Sequence, residues 1–257
     1  MENKISADNV RQAIYESGLI NSPIDDDAVL RITEYVNGAA DVYGIDRRLD
    51  EVENAFSEIM SRSTVSVNRV VSIAGEASGI LRKLTSLWRS RGLLREFTFS
   101  FTDEECDFLK DTYLRVAKII SSYTKLIAEG SVKVADSASQ MRACSAESAE
   151  IAYESMIAEL AFTLFPADNL RAKLRATFLR SRATGRECQK AASAYLGFTR
   201  NCASVIAMLN ISLANAAEAL RIGSEEEMNF NVISPVKAAY ALNSAVMTIE
   251  RTDLKLQ

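Results

Sequence analysis

At 257 residues, 48% hydrophobic and 25% charged, with 10 Gly, 3 Pro, 4 Cys and no histidine, the chain has the composition of a globular protein. The lack of histidine excludes Ser-His-Asp and Cys-His nucleophile systems, His-containing zinc sites and the Glu-x-x-His di-iron motif. A net charge of −4 is not that of a polycation seeking nucleic acid. The charge is uneven, however. Residues 1–64 hold 13 acids and 6 bases, whereas residues 65–95 hold Arg69, Arg82, Lys83, Arg89, Arg91 and Arg95 against Glu76 alone.

The N-terminus, Met-Glu-Asn-Lys-Ile-Ser-Ala-Asp, has no apolar core of a secretory signal. A first helix is expected from about Ser6 to a stop at Gly18. Ser22-Pro23 places a capping hydroxyl before a proline at the first helical position, and Asp25, Asp26 and Asp27 favour the positive end of the helix dipole. This second helix is expected to run to about Tyr43 and end at Gly44.

Phe56, Met60, Ser63, Val67, Val70, Ala74, Ala77, Leu81, Leu84 and Trp88 follow a 4-3 spacing, which is a heptad seam, polar only at Ser63. A helix over residues 45–91 would be about 70 Å long, weakened at Gly75 and Gly79. Phe97, Phe99 and Phe101 then alternate with period two, which predicts an extended segment with three rings on one face. Thr102-Asp-Glu-Glu105 is a capping box that restarts helix. Leu109, Tyr113, Val116, Ile120, Tyr123 and Ile127 resume the 4-3 spacing, with a kink expected at Gly130. Over residues 131–150 the inward positions become Ala and Ser, permitting close backbone approach.

Pro166-Ala-Asp-Asn breaks the helix, and Asp168 is the expected cap of the next, which runs to Ile222 with Gly223 as its stop. Its second half carries Cys202, Ile206, Leu209, Leu213, Ala216 and Leu220 on one seam. Met228, Phe230 and Val232 alternate, and Ser234-Pro235 caps a last helix with Tyr240, Ala241, Val246 and Ile249 inward. The expected fold is therefore all-α: an elongated antiparallel helical bundle or coiled coil with three long helical segments. Residues 97–101 and 228–233 are expected to pair as a small two-stranded β ribbon. Residues 1–44 form short N-terminal helices continuous with the bundle of residues 45–257.

Arg171, Arg175, Arg182 and Arg186 fall on one helical stripe, with Lys173 and Arg180 pointing elsewhere. Such a stripe can grip phosphates, but Glu147, Glu150, Glu154 and Glu159 precede it across the Pro166 turn. Opposed residues of an antiparallel hairpin have nearly constant sums. Glu159–Arg175, Glu150–Arg182 and Glu147–Arg186 give sums of 332 to 334, so internal neutralisation is the expectation. By the same reasoning Arg91 opposes Asp107 and Arg95 opposes Asp103. Cys106, Cys144, Cys188 and Cys202 form no C-x-x-C and read as buried free thiols of a reducing compartment.

No G-x-x-x-x-G-K-[ST], G-x-G-x-x-G or G-x-S-x-G occurs, so no catalytic, cofactor or metal residues are assigned. The expected function is a non-enzymatic protein–protein interaction or assembly subunit, a homo-oligomer or part of a hetero-assembly. Its interaction candidates are Trp88, Phe97, Phe99, Phe101, Arg171, Arg175, Arg182, Arg186, Ile206, Leu209 and Leu213. One alternative is a soluble protein that switches into membranes through the Phe97–Phe99–Phe101 tip, an architecture of the α-helical pore-forming kind that no motif here identifies. Another is nucleic-acid binding through the arginine stripe. The expected location is cytoplasmic, or exported without a classical signal peptide. The longest uncharged run, residues 201–217, is too polar for a transmembrane helix.

Overall fold

The computed structural model describes residues 4–19, 24–90, 102–166 and 170–225. They form five helices: α1 (Ala7–Ser17), α2 (Asp26–Val36), α3 (Val42–Ser90), α4 (Asp103–Leu164) and α5 (Leu170–Glu225). The fold is all-α, with no strand among the described residues. The proposed ribbon, the three phenylalanines, the Asp168 cap, the 91–107 and 95–103 charge pairs and the last helix lie outside those residues. Helix α5 begins at Leu170, close to the expected start, and runs on through Gly223, the expected stop, to Glu225.

The helix boundaries follow from backbone donors that need partners. Ser6 caps α1 by accepting from the Asn9 N–H, and Gly18 ends it at φ 61°, a conformation that glycine adopts at no steric cost. Thr102 and Glu105 exchange their two capping hydrogen bonds at 3.0 and 3.2 Å. The second helix departs from expectation at both ends. Its cap is Asp25, which accepts from the Ala28 N–H at 2.7 Å. It stops at Asn37 and Gly38 (φ 69°), well before Gly44. The Asn37 side chain also clasps the Ile5 backbone, accepting from its N–H at 3.0 Å and donating to its carbonyl at 2.9 Å. Gly44 instead lies within the first turn of α3, where its N–H donates to Asp41 Oδ1 at 2.9 Å.

Contacts group the described residues of the chain into two compact units, Met1–Ser61 with Ser137–Ser193 and Arg62–Asp136 with Ala194–Gln257. Helices α3, α4 and α5 each contribute to both. In the second unit the core is apolar: Val67, Val70, Ala74 and Ala77 of α3 meet Ile120, Ile127 and Val134 of α4 and Phe198, Cys202, Val205 and Leu209 of α5. The heptad seam is therefore correct from Ser63, itself fully buried, to Ala77 and again at Leu84; the Leu81 and Trp88 side chains are outside the described set. Upstream, in the first unit, Ile59 is buried in place of the expected Met60, which is half-buried. Two successive spacings of four (Ile59, Ser63, Val67) make a stutter that a strict heptad does not contain.

Gly130 does not interrupt α4, which is continuous from Asp103 to Leu164. It admits α3: a Cβ there would stand 2.3 Å from Val70 Cγ2. Likewise α3 passes unbroken through Gly75 and Gly79.

Candidate interaction surface

The first unit is joined by polar contacts as much as by apolar ones. Asp46, Asp50 and Glu53 recur along α3 at one helical face, and Lys173, Thr177, Arg180 and Thr184 recur along α5. The Arg180 guanidinium grips Glu53 with two hydrogen bonds of 3.1 and 2.8 Å, reaches Asp46 at 3.4 Å and also binds Asp50. Thr184 donates to Glu53 at 2.9 Å, and Lys173 stands 3.4 Å from Asp46. The partners differ in number by a nearly constant 127 to 134, the signature of parallel helices. The Arg180 hydrogen bonds, with that from Thr184, hold the Glu53 carboxyl below the usual carboxylate range. Lys173 and Arg180 thus point away from the arginine stripe, as expected, but toward α3 acids that the hairpin register left out of account.

Helices α4 and α5 run antiparallel. Ser145 Oγ donates to the Gly185 carbonyl at 2.9 Å, and a Cβ on Gly185 would stand 3.3 Å from Ser148 Cβ. The small residues of 131–150 therefore serve close packing inside the chain. Met141, Cys144 and Ser148 are buried there, and the Ser148 hydroxyl has no hydrogen-bond partner among the described residues. Burial raises the Cys144 thiol, and burial followed by the neighbouring Cys144 pushes Cys188 up to about 11. In the second unit burial pushes Cys202 up to about 11. These three are free buried thiols, as the sequence implies; the Cys106 side chain is outside the described set.

The acid–base register of the α4/α5 hairpin is made only in part. Glu159 and Arg175 are 3.9 Å apart. Glu147 and Glu150 make no ion pair with Arg186 or Arg182 among the described residues, which corrects the expectation for both. The reason is angular: at about 100° per residue, Glu147, Glu150 and Glu154 share one side of α4, and Glu159 lies about 140° round from Glu154. Matching numbers secures the level of two residues along a hairpin and leaves their azimuth open. Glu154 is claimed by Arg48 of α3 at 2.9 Å and Arg31 of α2 at 3.8 Å.

Arg182 and Arg186 instead line an open groove of about 390 Å³ between α4 and α5. Its floor is made of small residues, apolar at Ala149 and Ala152 of α4 and Gly185 of α5 and hydroxylated at Ser145 and Ser181, with Phe178 as one wall. Arg182 lies over the Phe178 ring, 5.6 Å from its centroid. Met156, one turn beyond Ala152, and Leu179, beside Phe178, are 45% and 60% exposed and extend the apolar surface. Among the described residues neither Arg182 nor Arg186 has a carboxylate within 4.0 Å, and Arg171 and Arg142 are exposed without one as well.

The other candidates sit elsewhere. Leu209 is 1% exposed in the core of the second unit, with Ile206 and Leu213 packed against that core. The described part of the 202–220 seam is thus engaged within the chain, unlike the free partner face expected of it. Trp88 belongs to α3, and its side chain is outside the described set, as are Phe97, Phe99 and Phe101. The small-residue surface of residues 131–150, which the sequence offers for partner packing, supplies Ser145 and Ala149 to the groove floor. Sequence reasoning missed the α5 side of the groove, Phe178, Ser181 and Gly185, and its union with Arg182 and Arg186. Among the described residues no helix is long and apolar enough to cross a membrane, and no cluster of Cys, Asp and Glu could hold a metal ion. No protein-family model, curated protein or solved structure matches the chain.

Proposed function

We propose that this chain is a non-enzymatic helical-bundle subunit that works by binding protein. The observation that carries the reading is the α4/α5 groove: a small-residue floor with an apolar wall at Phe178, bordered by arginines that have no carboxylate in reach among the described residues. A floor without bulky side chains lets another helix approach closely, and a helix laid in a groove is a recurrent mode of recognition. Burying the floor supplies association energy, while the rim charges select the partner and speed encounter. The lack of histidine and of phosphate-cradling or nucleophile motifs in the sequence favours binding over chemistry.

Light scattering on a sizing column, over a range of concentrations and with the nucleic-acid absorbance ratio recorded, tests the reading. A discrete oligomer or filament free of nucleic acid is expected. A monomer that also captures no protein partner overturns it.

The same arginines favour a second reading, nucleic-acid binding. It expects an oligonucleotide shift that disappears on raising salt, because phosphate contacts release counterions. The apolar floor speaks for the protein reading, since a phosphate backbone has nothing to bury there.

A further inference from the structure

We infer that the α4/α5 groove is the socket for helix α2 of a second copy of this chain, an inference that rests on the assembly reading above. The socket is basic and apolar, so its occupant must be an acidic helix with an apolar anchor. Helix α2 offers that face. Leu30 is 55% exposed, and Asp27 and Glu34 are exposed at i−3 and i+4 from it, on the same side of the helix. Glu34 makes no ion pair among the described residues, and Asp27 binds only Arg31 of its own helix, at 3.0 Å. The opposite face of α2 is committed to its own unit, with Ala28, Val29, Ile32 and Tyr35 buried. The exposed face borders an open groove of about 490 Å³, where Arg31, Arg47 and Arg48 are engaged by Asp27, Asp41 and Glu154 and Glu34 is left without a cation among the described residues.

The dimensions agree. Asp27 and Glu34 stand about 10 Å apart along α2, and Arg182 and Arg186 about 6 Å apart along α5. Long, flexible arginine side chains span that difference while Leu30 enters over Ala149, Ala152 and Phe178. The charge imbalance of the chain points the same way. Residues 1–64 carry an excess of seven acids, and Asp46, Asp50 and Glu53 are already engaged by Arg180 and Lys173. Helices α1 and α2 keep an excess of three acids even though Arg11 and Arg31 bind Asp8, Asp26 and Asp27. Socket and helix are different patches of one unit, so the contact is head-to-tail and generates a ring if the rotation closes and a filament if it does not.

A charge swap in the full chain tests this by light scattering. Arg182→Glu/Arg186→Glu and Asp27→Lys/Glu34→Lys should each weaken self-association at least about tenfold, with helical circular dichroism unchanged. Mixing the two variants should restore the wild-type mass, because each copy then meets an oppositely charged partner. Leu30→Asn, which leaves the charges alone, should weaken association as well and serves if a charge variant fails to fold. An oligomer indifferent to all of these substitutions overturns the socket and leaves the assembly reading standing. Loss with the arginine variant but not with the α2 variant, or binding of an oligonucleotide in the groove, overturns α2 as the occupant. A wild-type monomer at about 100 μM overturns self-assembly, and capture of a different protein would then decide the broader reading.

Discussion

The same three helices are fastened differently in the two units: the first adds an ion-pair cluster to an apolar core that includes Leu49, Val52, Ile151 and Leu174. In the first, α3 and α5 are joined through Arg180, which binds Glu53, Asp46 and Asp50 together. In the second they are joined through Val67, Val70, Ala74 and Ala77 against Phe198, Cys202, Val205 and Leu209. Apolar contact is non-directional and rewards area, so the second unit needs only a continuous seam. Ion pairs reward geometry: a guanidinium shared by three carboxylates fits one level and one azimuth, and thereby fixes the register of two parallel helices. The second unit thus relies on burial, and the first adds alignment to it.

The most severe way to break this contrast is Val70→Asp. Val70 is 2% exposed, and an unpaired carboxylate there should cost at least about 3 kcal/mol. Denaturant unfolding should register the loss, and an unchanged midpoint would remove Val70 from the core. Next comes Gly130→Ala, whose methyl would collide with Val70 Cγ2. Overpacking should cost about 1–3 kcal/mol despite the better helix propensity of alanine, and Val70→Ala in the same chain should return part of it.

Arg180→Met sharpens the other half of the contrast. Its side chain is 44% exposed, so after allowance for screening the loss should be about 1–2 kcal/mol. Unlike the Val70 effect, it should shrink in high salt. The pH dependence should separate the units too. The folded-state Glu53 carboxyl titrates below its unfolded value of 4.5, so its contribution is present above that pH and fades as pH falls through the folded value. Wild-type protein should lose stability across that acid window, and Arg180→Met should flatten the slope. An equal slope in both proteins would dissociate Glu53 from Arg180. The smallest effect is expected at Ser148→Ala, which removes a buried hydroxyl without a partner among the described residues. Thermal melting should show no loss and a gain of up to about 1 kcal/mol.

Local chemistry was legible at three boundaries and misled at the start of α2, where Asp25 is the cap in place of Ser22. Ser6 and Gly18 bracket α1, and Thr102 with Glu105 starts α4, because capping depends on side chains three residues apart. The end of α2 was read wrongly for a related reason. Gly44 looked like a stop, but the competing stop at Asn37 and Gly38 is held by a contact to Ile5, 32 residues away. Gly130 shows the same limit: its role is room for Val70, which no local rule contains.

For the surface, the sequence by itself determined the arginine stripe of α5 and the all-α fold, since both follow from the 3.6-residue period of one helix. Which acids meet which bases was decided only by the tertiary structure. Azimuth around α4 takes Glu147 and Glu150 away from Arg186 and Arg182, and a parallel neighbour, α3, brings Asp46, Asp50 and Glu53 to Arg180. Periodicity reports the face a residue occupies on its own helix. Only packing determines what that face meets, and here it leaves Arg182 and Arg186 over a groove of alanines and a glycine.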